Sequence, residues 1–267
     1  MTPILLTPRD IAVSAVLLLL DGVLSVALGL GLHRQLGVAG ARMVVQLLLI
    51  GLVLRWVFAL ANPAVTLALV TLMVLVATRE VASRPEARLA RGGNFVVGGV
   101  AVAAATALTA VLALATAIRP QPWYDPRYAV PLAGIVLGNV LNAASLTLDA
   151  LLGGVGRERG AIEARLCLGD SFATATRPLV RGAIRRGLLP MVNTMSAAGV
   201  VTLPGIMTGQ ILAGMDPMEA VKYQILLMFL LAGGSGVASV AVALLARGRL
   251  TDARQRLRVD RLRSRAR

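Results

Sequence analysis

Long apolar runs alternate with short polar stretches along most of this chain of 267 residues. Several runs hold roughly 20 residues, enough for an α-helix to cross a hydrocarbon core about 30 Å thick. The pattern predicts an all-α, polytopic transmembrane helix bundle with about seven spans. We place these spans at residues 11–32, 36–61, 64–78, 95–118, 131–152, 190–212 and 222–246.

Composition agrees with a membrane protein, because apolar residues make up 57% of the chain and charged residues only 15%. Soluble domains carry about 25% charged residues. The net charge of +14 raises the question of nucleic-acid binding. However, the basic residues lie between apolar runs and form no basic face interleaved with aromatic side chains. We therefore expect membrane lipids, and no nucleic acid, among the partners.

The polar loops differ sharply in charge, which predicts the orientation of the chain. If the N-terminus is outside, twenty-two of the 27 Lys and Arg residues fall in or near inside segments, and four fall in or near outside segments. Cytoplasmic loops of membrane proteins carry this excess of positive charge. The sequence thus predicts an outside N-terminus and an inside C-terminus; a bacterial cytoplasmic membrane is the location implied by the family resemblance described below.

The domain organisation follows from the same pattern. Residues 1–246 form the predicted transmembrane domain, with a long inner loop at about 153–187 that has helical composition at 162–175. Residues 247–267 form a basic cytoplasmic tail. We interpret this tail as a solvated anchor that touches anionic lipid headgroups.

Polar residues inside predicted spans are candidates for a translocation path, because they are costly in lipid. Asp21 lies midway along the first span, on the same helical face as Ser14 and Ser25. The fifth span carries a polar stripe on about a third of its circumference. For both spans, a helix–helix contact and a path-lining role remain open. The stripe consists of Gly138, Asn139, Asn142, Ser145, Leu146 and Asp149.

The sixth predicted span contains Asn193 and then several residues that weaken a helix: Gly199, Pro204, Gly205 and Gly209. Proline removes a backbone donor, and glycine loosens the backbone. Broken helices at membrane depth line cavities or are buried in protein, and transporters place substrate sites there. We interpret this segment as a hinge or site, with a passive kink as the alternative.

The chain has no G-x-x-x-x-G-K-[ST] phosphate loop, so uphill transport would draw energy from ions or from another subunit. The inner loop contains Glu163-Ala164-Arg165-Leu166-Cys167-Leu168-Gly169. This segment resembles the E-A-A-x-x-x-G loop by which ABC permeases dock on their ATPase, with Arg in place of the second Ala. The resemblance assigns ATPase coupling to Glu163, Ala164 and Gly169.

Nearly the whole chain resembles the FetB-type permeases of bacterial iron exporters, which are related to plant aluminium-tolerance ABC half-transporters. The most specific stretch runs from Gly199 through Pro204 to Gly214, and it continues at Asp216-Pro217 and at 220–225. Further matches lie at Arg42, Gln46-Leu47, Gly51, Val53-Leu54, Ala133-Gly134, Gly138-Asn139 and the Glu163–Gly169 loop.

This resemblance implies a homodimer of permeases that pairs with a separate cytoplasmic ATPase and exports its substrate. Mg-ATP would bind to the ATPase, and no cofactor is expected in this chain. Family members are linked to iron or other metals, and one plant relative to nucleotide-sugar export. The sequence holds no cluster of His, Cys and carboxylate residues suited to tight iron binding, so a metal site is not assigned.

Two other functional classes remain open. An ion-coupled carrier or channel could use Asp21 and Asp149 as proton or cation sites. A membrane-embedded enzyme is less favoured, because no nucleophile–base pair is visible in the sequence. No catalytic residue is therefore assigned.

Overall fold

The computed structural model describes residues 7–60, 62–118, 122 and 125–264. Nine α-helices and one small sheet occur in these residues. The helices are α1 (Pro8–Ala27), α2 (His33–Leu60), α3 (Pro63–Ser83), α4 (Gly93–Leu112), α5 (Pro126–Arg157), α6 (Arg159–Cys167), α7 (Phe172–Ala197), α8 (Gly205–Leu212) and α9 (Pro217–Arg249). A π-helical segment, Ala113–Ile118, continues α4.

The chain divides into two compact units. Helices α1 and α2, with Leu212–Gly214, form the first unit. In it, α1 and α2 pack against each other, with Leu18 against Gly40. The second unit contains the remaining structure from α3 to the tail and holds the main apolar core. The predicted transmembrane domain, 1–246, thus comprises two units.

Helix directions in the second unit follow from a few close contacts. Helices α3 and α5 run in the same direction, because Met73 meets Gly134 and Arg84 meets Asn142. Helix α4 returns alongside α3, since Gly98 packs on Val81. Helix α9 runs with α5: Gly234 lies near Val140 of α5, and Ser239, further along α9, lies at the level of Thr147.

Helix α7 runs opposite to α5 and α9. Gly154 of α5 packs on Leu179, near the start of α7, whereas Thr147 meets Gly187 further along α7. Since α5 and α9 run in the same direction, the chain must return between them, and α7 is that return. Its 26 residues have a length of about 39 Å at 1.5 Å per residue.

This return helix corrects the boundaries of the sixth predicted span. The interval 190–212 is not one helix: it contains the end of α7, a break after Ala197, and α8. Among the described residues, six helices are long and apolar enough to span a membrane, namely α1 to α5 and α9. Four arginines keep α7 outside that set, although α7 packs antiparallel to α5 and α9 in the second unit.

The predicted inner loop, 153–187, is largely helical, because it contains the end of α5, all of α6 and the first part of α7. The basic tail is also folded as far as Ser264. It forms a turn at 250–258, a 3₁₀ turn at Val259–Arg261 and strand β2 (Leu262–Ser264). Strand β2 pairs antiparallel with β1 (Ala87–Leu89), which connects α3 to α4. This two-stranded sheet is a small exception to the all-α prediction.

Candidate functional site

The predicted coupling segment forms α6 and the turn that follows it. Backbone N–H groups of Gly169 and Asp170 donate to the carbonyl oxygens of Leu166 and Arg165, which is a Schellman motif. This motif needs a left-handed residue after the helix, and Gly169 has a φ of +95°. The glycine of the segment is therefore explained by the end of α6.

Side chains of α6 divide between anchoring and exposure. Ile162 is buried against the core and fixes the helix, while the Glu163 carboxylate accepts a hydrogen bond from Arg159 Nε at 2.8 Å. Ala164 is exposed, and Leu168 at the tip of the turn is 87% exposed. Leu168 is a candidate protein contact because it is exposed within the segment that resembles an ATPase-docking loop.

The tail forms the other wall of a groove beside α6. This groove has a volume of about 750 Å³ and is lined by residues 163–171 and 254–257 of the two segments. Gln255 Oε1 accepts a hydrogen bond from the backbone N–H of Phe172, the first residue of α7, at 2.8 Å. No pattern in the sequence predicts this link, because the two residues are far apart in the chain.

One carboxylate holds the turn of the tail. Asp252 Oδ1 accepts hydrogen bonds from the backbone N–H groups of Arg254 and Arg256, both at 3.0 Å. The backbone bond from Arg256 is the main reason why the pKa of Asp252 is lowered. The side-chain hydrogen bond from Arg258 likewise lowers the pKa of Asp260.

We expect the tail to stay folded between pH 5 and 8 and to loosen only below about pH 4. Both carboxyl groups have folded-state pKa values below their unfolded values of about 3.9. Their contribution to stability is therefore present above pH 3.9 and lost as pH falls through the folded-state pKa. Hydrogen exchange of residues 250–264, corrected for intrinsic rates, measures this. Asp252→Asn should lower protection already at pH 7; unchanged protection in that variant would contradict the assignment.

The polar stripe of α5 meets α3 and its following turn at two points. Asn142 Oδ1 accepts a hydrogen bond from Arg84 Nη1 at 3.0 Å, and Asp149 Oδ1 accepts one from the backbone N–H of Glu86 at 3.1 Å. Asn139 is half-buried and donates to the carbonyl oxygen of Ile135 in its own helix. Asn142 and Asp149 thus make inter-element contacts, while both remain exposed on one side. A path-lining role for the stripe stays a prediction.

One close helix approach involves a residue that the sequence analysis did not single out. Gly187 of α7 faces Thr147 of α5 and Ser239 of α9, and it is buried. A side chain at this position would overlap Thr147 Oγ1 and lie 2.7 Å from the carbonyl oxygen of Ala143. Small residues bring membrane helices together in this way. The sequence signal for this contact was the glycine between Arg186 and Leu188, because a small residue lets neighbouring helices approach closely.

The predicted break after α7 is present. The helix ends at Ala197, Gly199 has a φ of +84°, and its N–H donates to the carbonyl oxygen of Thr202 at 2.9 Å. Pro204 is half-buried, and α8 begins at Gly205. Gly209 lies on an exposed face of α8, and Asn193 is exposed on α7 before the break. Whether these residues act as a hinge or site stays a prediction.

Asp21 is in α1 of the first compact unit and is exposed. Ser25, one turn later, is buried, and its hydroxyl accepts a hydrogen bond from the backbone N–H of Leu32 at 2.9 Å. The predicted shared face is therefore split between an exposed carboxylate and a buried hydroxyl. In the part of the chain that the structure describes, no three His, Cys, Asp or Glu side chains are grouped to hold a metal ion.

The sequence of this chain is similar to those of known membrane proteins. Residues 8–250 match the family model described as "Uncharacterised protein family (UPF0014)". The UPF0014 membrane protein slr1647 of Synechocystis is 38% identical over 80% of this chain and 82% of its own length. The probable iron export permease protein FetB of Escherichia coli is 29% identical over 96% and 97%. The Arabidopsis protein ALUMINUM SENSITIVE 3 is 31% identical over 86% and 82%.

No solved structure matches this chain significantly. The family match covers nearly the whole bundle, from the start of α1 to the end of α9. It confirms the predicted resemblance and the multi-pass membrane location, and it agrees with a transport rather than an enzymatic role. The chain therefore belongs to the UPF0014 family of membrane proteins.

Proposed function

We propose that this protein is the membrane-spanning permease subunit of an ABC-type exporter, driven by a separate cytoplasmic ATPase. The observation that carries the proposal is the continuous connection between α6 and the break after α7. Leu168 is exposed on the turn after α6, and Asp170 and Ser171 lead directly into α7. Helix α7 then packs on α5 and α9, with buried residues as far as Met191, and continues to Ala197.

This connection gives a mechanical route between the two ends of the bundle. An ATPase that binds the turn after α6 and changes conformation when it binds ATP would displace the start of α7. Helix α7 is close-packed on α5 and α9 through Gly187, so a push at Phe172 reaches the break near Gly199 rather than being absorbed locally. Movement there would open and close a path beside the polar stripe of α5. Two permeases and two ATPases would form the working exporter.

For the cargo, we propose iron or another metal, because the Escherichia coli relative is named a probable iron export permease. The described residues hold no tight cluster of metal ligands, and an exporter needs only weak, transient binding to carry its cargo. A nucleotide sugar is the alternative cargo that the family resemblance offers. An ion-coupled carrier using Asp21 and Asp149 is the alternative mechanism.

The first experiment tests the docking turn. With a cognate ATPase co-expressed, Leu168→Asp should weaken the complex by about tenfold or more, since burying a leucine contributes about 1.5–3 kcal/mol. Met218→Asp is the matched control, because Met218 is also exposed and apolar. It lies at the start of α9, whereas the groove beside α6 is formed with the tail that follows the end of α9. Equal association of both variants with the ATPase would overturn the docking assignment.

The second experiment tests energy source and cargo. Inside-out vesicles containing the permease and ATPase should accumulate iron with ATP, but not with ATP and the Leu168→Asp permease. Accumulation of a nucleotide sugar instead would retain the exporter and replace the metal. Transport that persists without the ATPase and collapses with the proton gradient would replace the ABC mechanism with the ion-coupled one.

A further inference from the structure

The folded tail creates a second feature at the basic end of the bundle, which we call the arginine recess. It lies between the turn after β1, the end of α9 and strand β2, and its volume is about 450 Å³. Five guanidinium groups and one carboxylate line it. These charged residues are Arg91, Arg249, Arg258, Arg261, Arg263 and Asp260.

Two of the five arginines make hydrogen bonds that hold the tail in place. Arg258 makes two hydrogen bonds to the carboxylate of Asp260, at 2.8 and 2.7 Å. Arg261 Nη1 donates to the carbonyl oxygens of Arg249 and Thr251 at 2.9 and 3.2 Å. These contacts fix the tail in place and neutralise the single acidic group of the recess.

The positive charges of the other three arginines are not compensated by an ion pair among the described residues. The guanidinium groups of Arg91, Arg249 and Arg263 have no hydrogen-bond or ion-pair partner in the described part of the chain. They come from three separate segments, which pairing of β2 with β1 brings together. Three like charges in one concave site repel each other, and an anion bound among them would remove that repulsion.

The position of the recess indicates which anions it meets. Arg91 lies just before the span of α4 begins, and Arg249 ends the span of α9. The positive-inside rule places this end of the bundle in the cytoplasm, so the recess lies at the depth of the inner-leaflet headgroups. Basic pockets at this depth bind phosphate-bearing headgroups, and guanidinium groups suit phosphate oxygens.

We propose that the arginine recess is a binding site for a phosphate group, presented by an anionic lipid headgroup or by a soluble phosphate. Occupation would pull together the α3–α4 turn, α9 and the tail. The same tail contacts α7 through Gln255, so the bound anion would also hold the groove beside α6 in shape.

The test compares two triple variants of the full-length protein purified in neutral detergent. Arg91→Gln/Arg249→Gln/Arg263→Gln removes the three unpaired groups of the recess. Arg177→Gln/Arg181→Gln/Arg185→Gln removes the same charge from the exposed face of α7. Phosphatidylglycerol, phosphatidylcholine with the same acyl chains, and inorganic pyrophosphate are titrated separately, and binding is followed by the ligand-induced shift in thermal unfolding.

We expect the wild-type and α7 variants to bind phosphatidylglycerol well and phosphatidylcholine poorly. The recess variant should bind phosphatidylglycerol roughly a hundredfold more weakly, with the attraction of three basic groups lost. Binding should also weaken with added salt. Binding of pyrophosphate alone, lost in the recess variant, would support the site with a soluble phosphate as its source.

Three results would overturn the proposal. The first is equal loss of binding in both triple variants, which would mean general surface charge. The second is unchanged lipid and pyrophosphate binding in the recess variant. The third is normal lipid binding together with lost ATPase association, which would make the recess a protein contact. Unfolding temperatures without ligand show that each variant is folded before it is compared.

Discussion

Replacing Gly187 by alanine should destabilise the folded bundle by about 1–3 kcal/mol, the usual cost of forcing extra atoms into a close-packed site. The new methyl group would overlap Thr147 Oγ1 and lie 2.7 Å from the carbonyl oxygen of Ala143 and 3.0 Å from Ser239 Oγ. The carbonyl oxygen belongs to the α5 backbone and cannot rotate away. Helix α7 must therefore move outward along its contacts with α5 and α9.

Gly182→Ala on the same helix is the matched control. Gly182 is exposed and has no atom within 4 Å of where a methyl group would sit. Alanine there should be neutral or stabilising by up to about 1 kcal/mol, through its higher helix propensity. Thermal unfolding of the purified proteins in detergent measures the difference. The same unfolding temperature for both variants would mean that α7 does not touch α5 at Gly187.

Ending the chain after Leu250 should leave membrane insertion intact but abolish productive ATPase coupling. The deletion removes the partner strand of β1 and the packing of Leu257 and Leu262 on the core. A fully buried leucine contributes about 1.5–3 kcal/mol, and each of these two partly buried leucines should contribute less. The α3–α4 turn and the start of α7 would then lose their support, so the α6 turn would no longer be held in position.

Two further variants separate the causes. Deleting only residues 265–267, which follow β2, should preserve coupling. Gln255→Ala removes only the side chain that accepts from the Phe172 N–H, and it should weaken coupling less than the long deletion. ATP-driven transport in vesicles, compared at equal amounts of inserted permease, is the measurement. Full transport activity in the chain ending at Leu250 would show that the tail is dispensable for coupling.

The two variants should act through different physical effects, because they change different parts of the molecule. Gly187 lies where α7 packs on α5 and α9, and within a membrane the tight contact of small residues replaces the hydrophobic effect. The tail is predicted to lie on the cytoplasmic side, where water makes burial of Leu89, Leu257 and Leu262 favourable in the ordinary way. The Gly187 variant should therefore affect the whole bundle, while the truncation should affect mainly the cytoplasmic end.

Much of this architecture could be predicted from the sequence, because the signals are local. Apolar runs of sufficient length predict α1 to α5 and α9 wherever they occur, since lipid offers no alternative partner for the backbone. The break after Ala197 follows from Gly199, Pro204 and Gly205, which act on their own backbone. The turn after α6 is equally local, because its Schellman motif needs little more than Gly169 at the right position.

The extent of α7 could not be read from hydropathy. Arg177, Arg181 and Arg185 make its first half look like a polar loop, yet they recur every four residues and are all exposed on the folded helix. What makes this segment a packed helix is its other side, where Ala183 and Gly187 are buried. That decision depends on neighbours in α5 and α9, which are distant in sequence.

The sequence by itself determined that the chain resides in a membrane, which end of the bundle is basic, where the turn after α6 lies and where a helix breaks. Those properties depend on composition, charge and the backbone preferences of single residues. Only the tertiary structure decided that Asn142 meets Arg84, that Gln255 holds the start of α7, and that three unpaired arginines share one recess. Such contacts join segments far apart in the chain, so they exist only once the helices have packed and the tail has paired with β1.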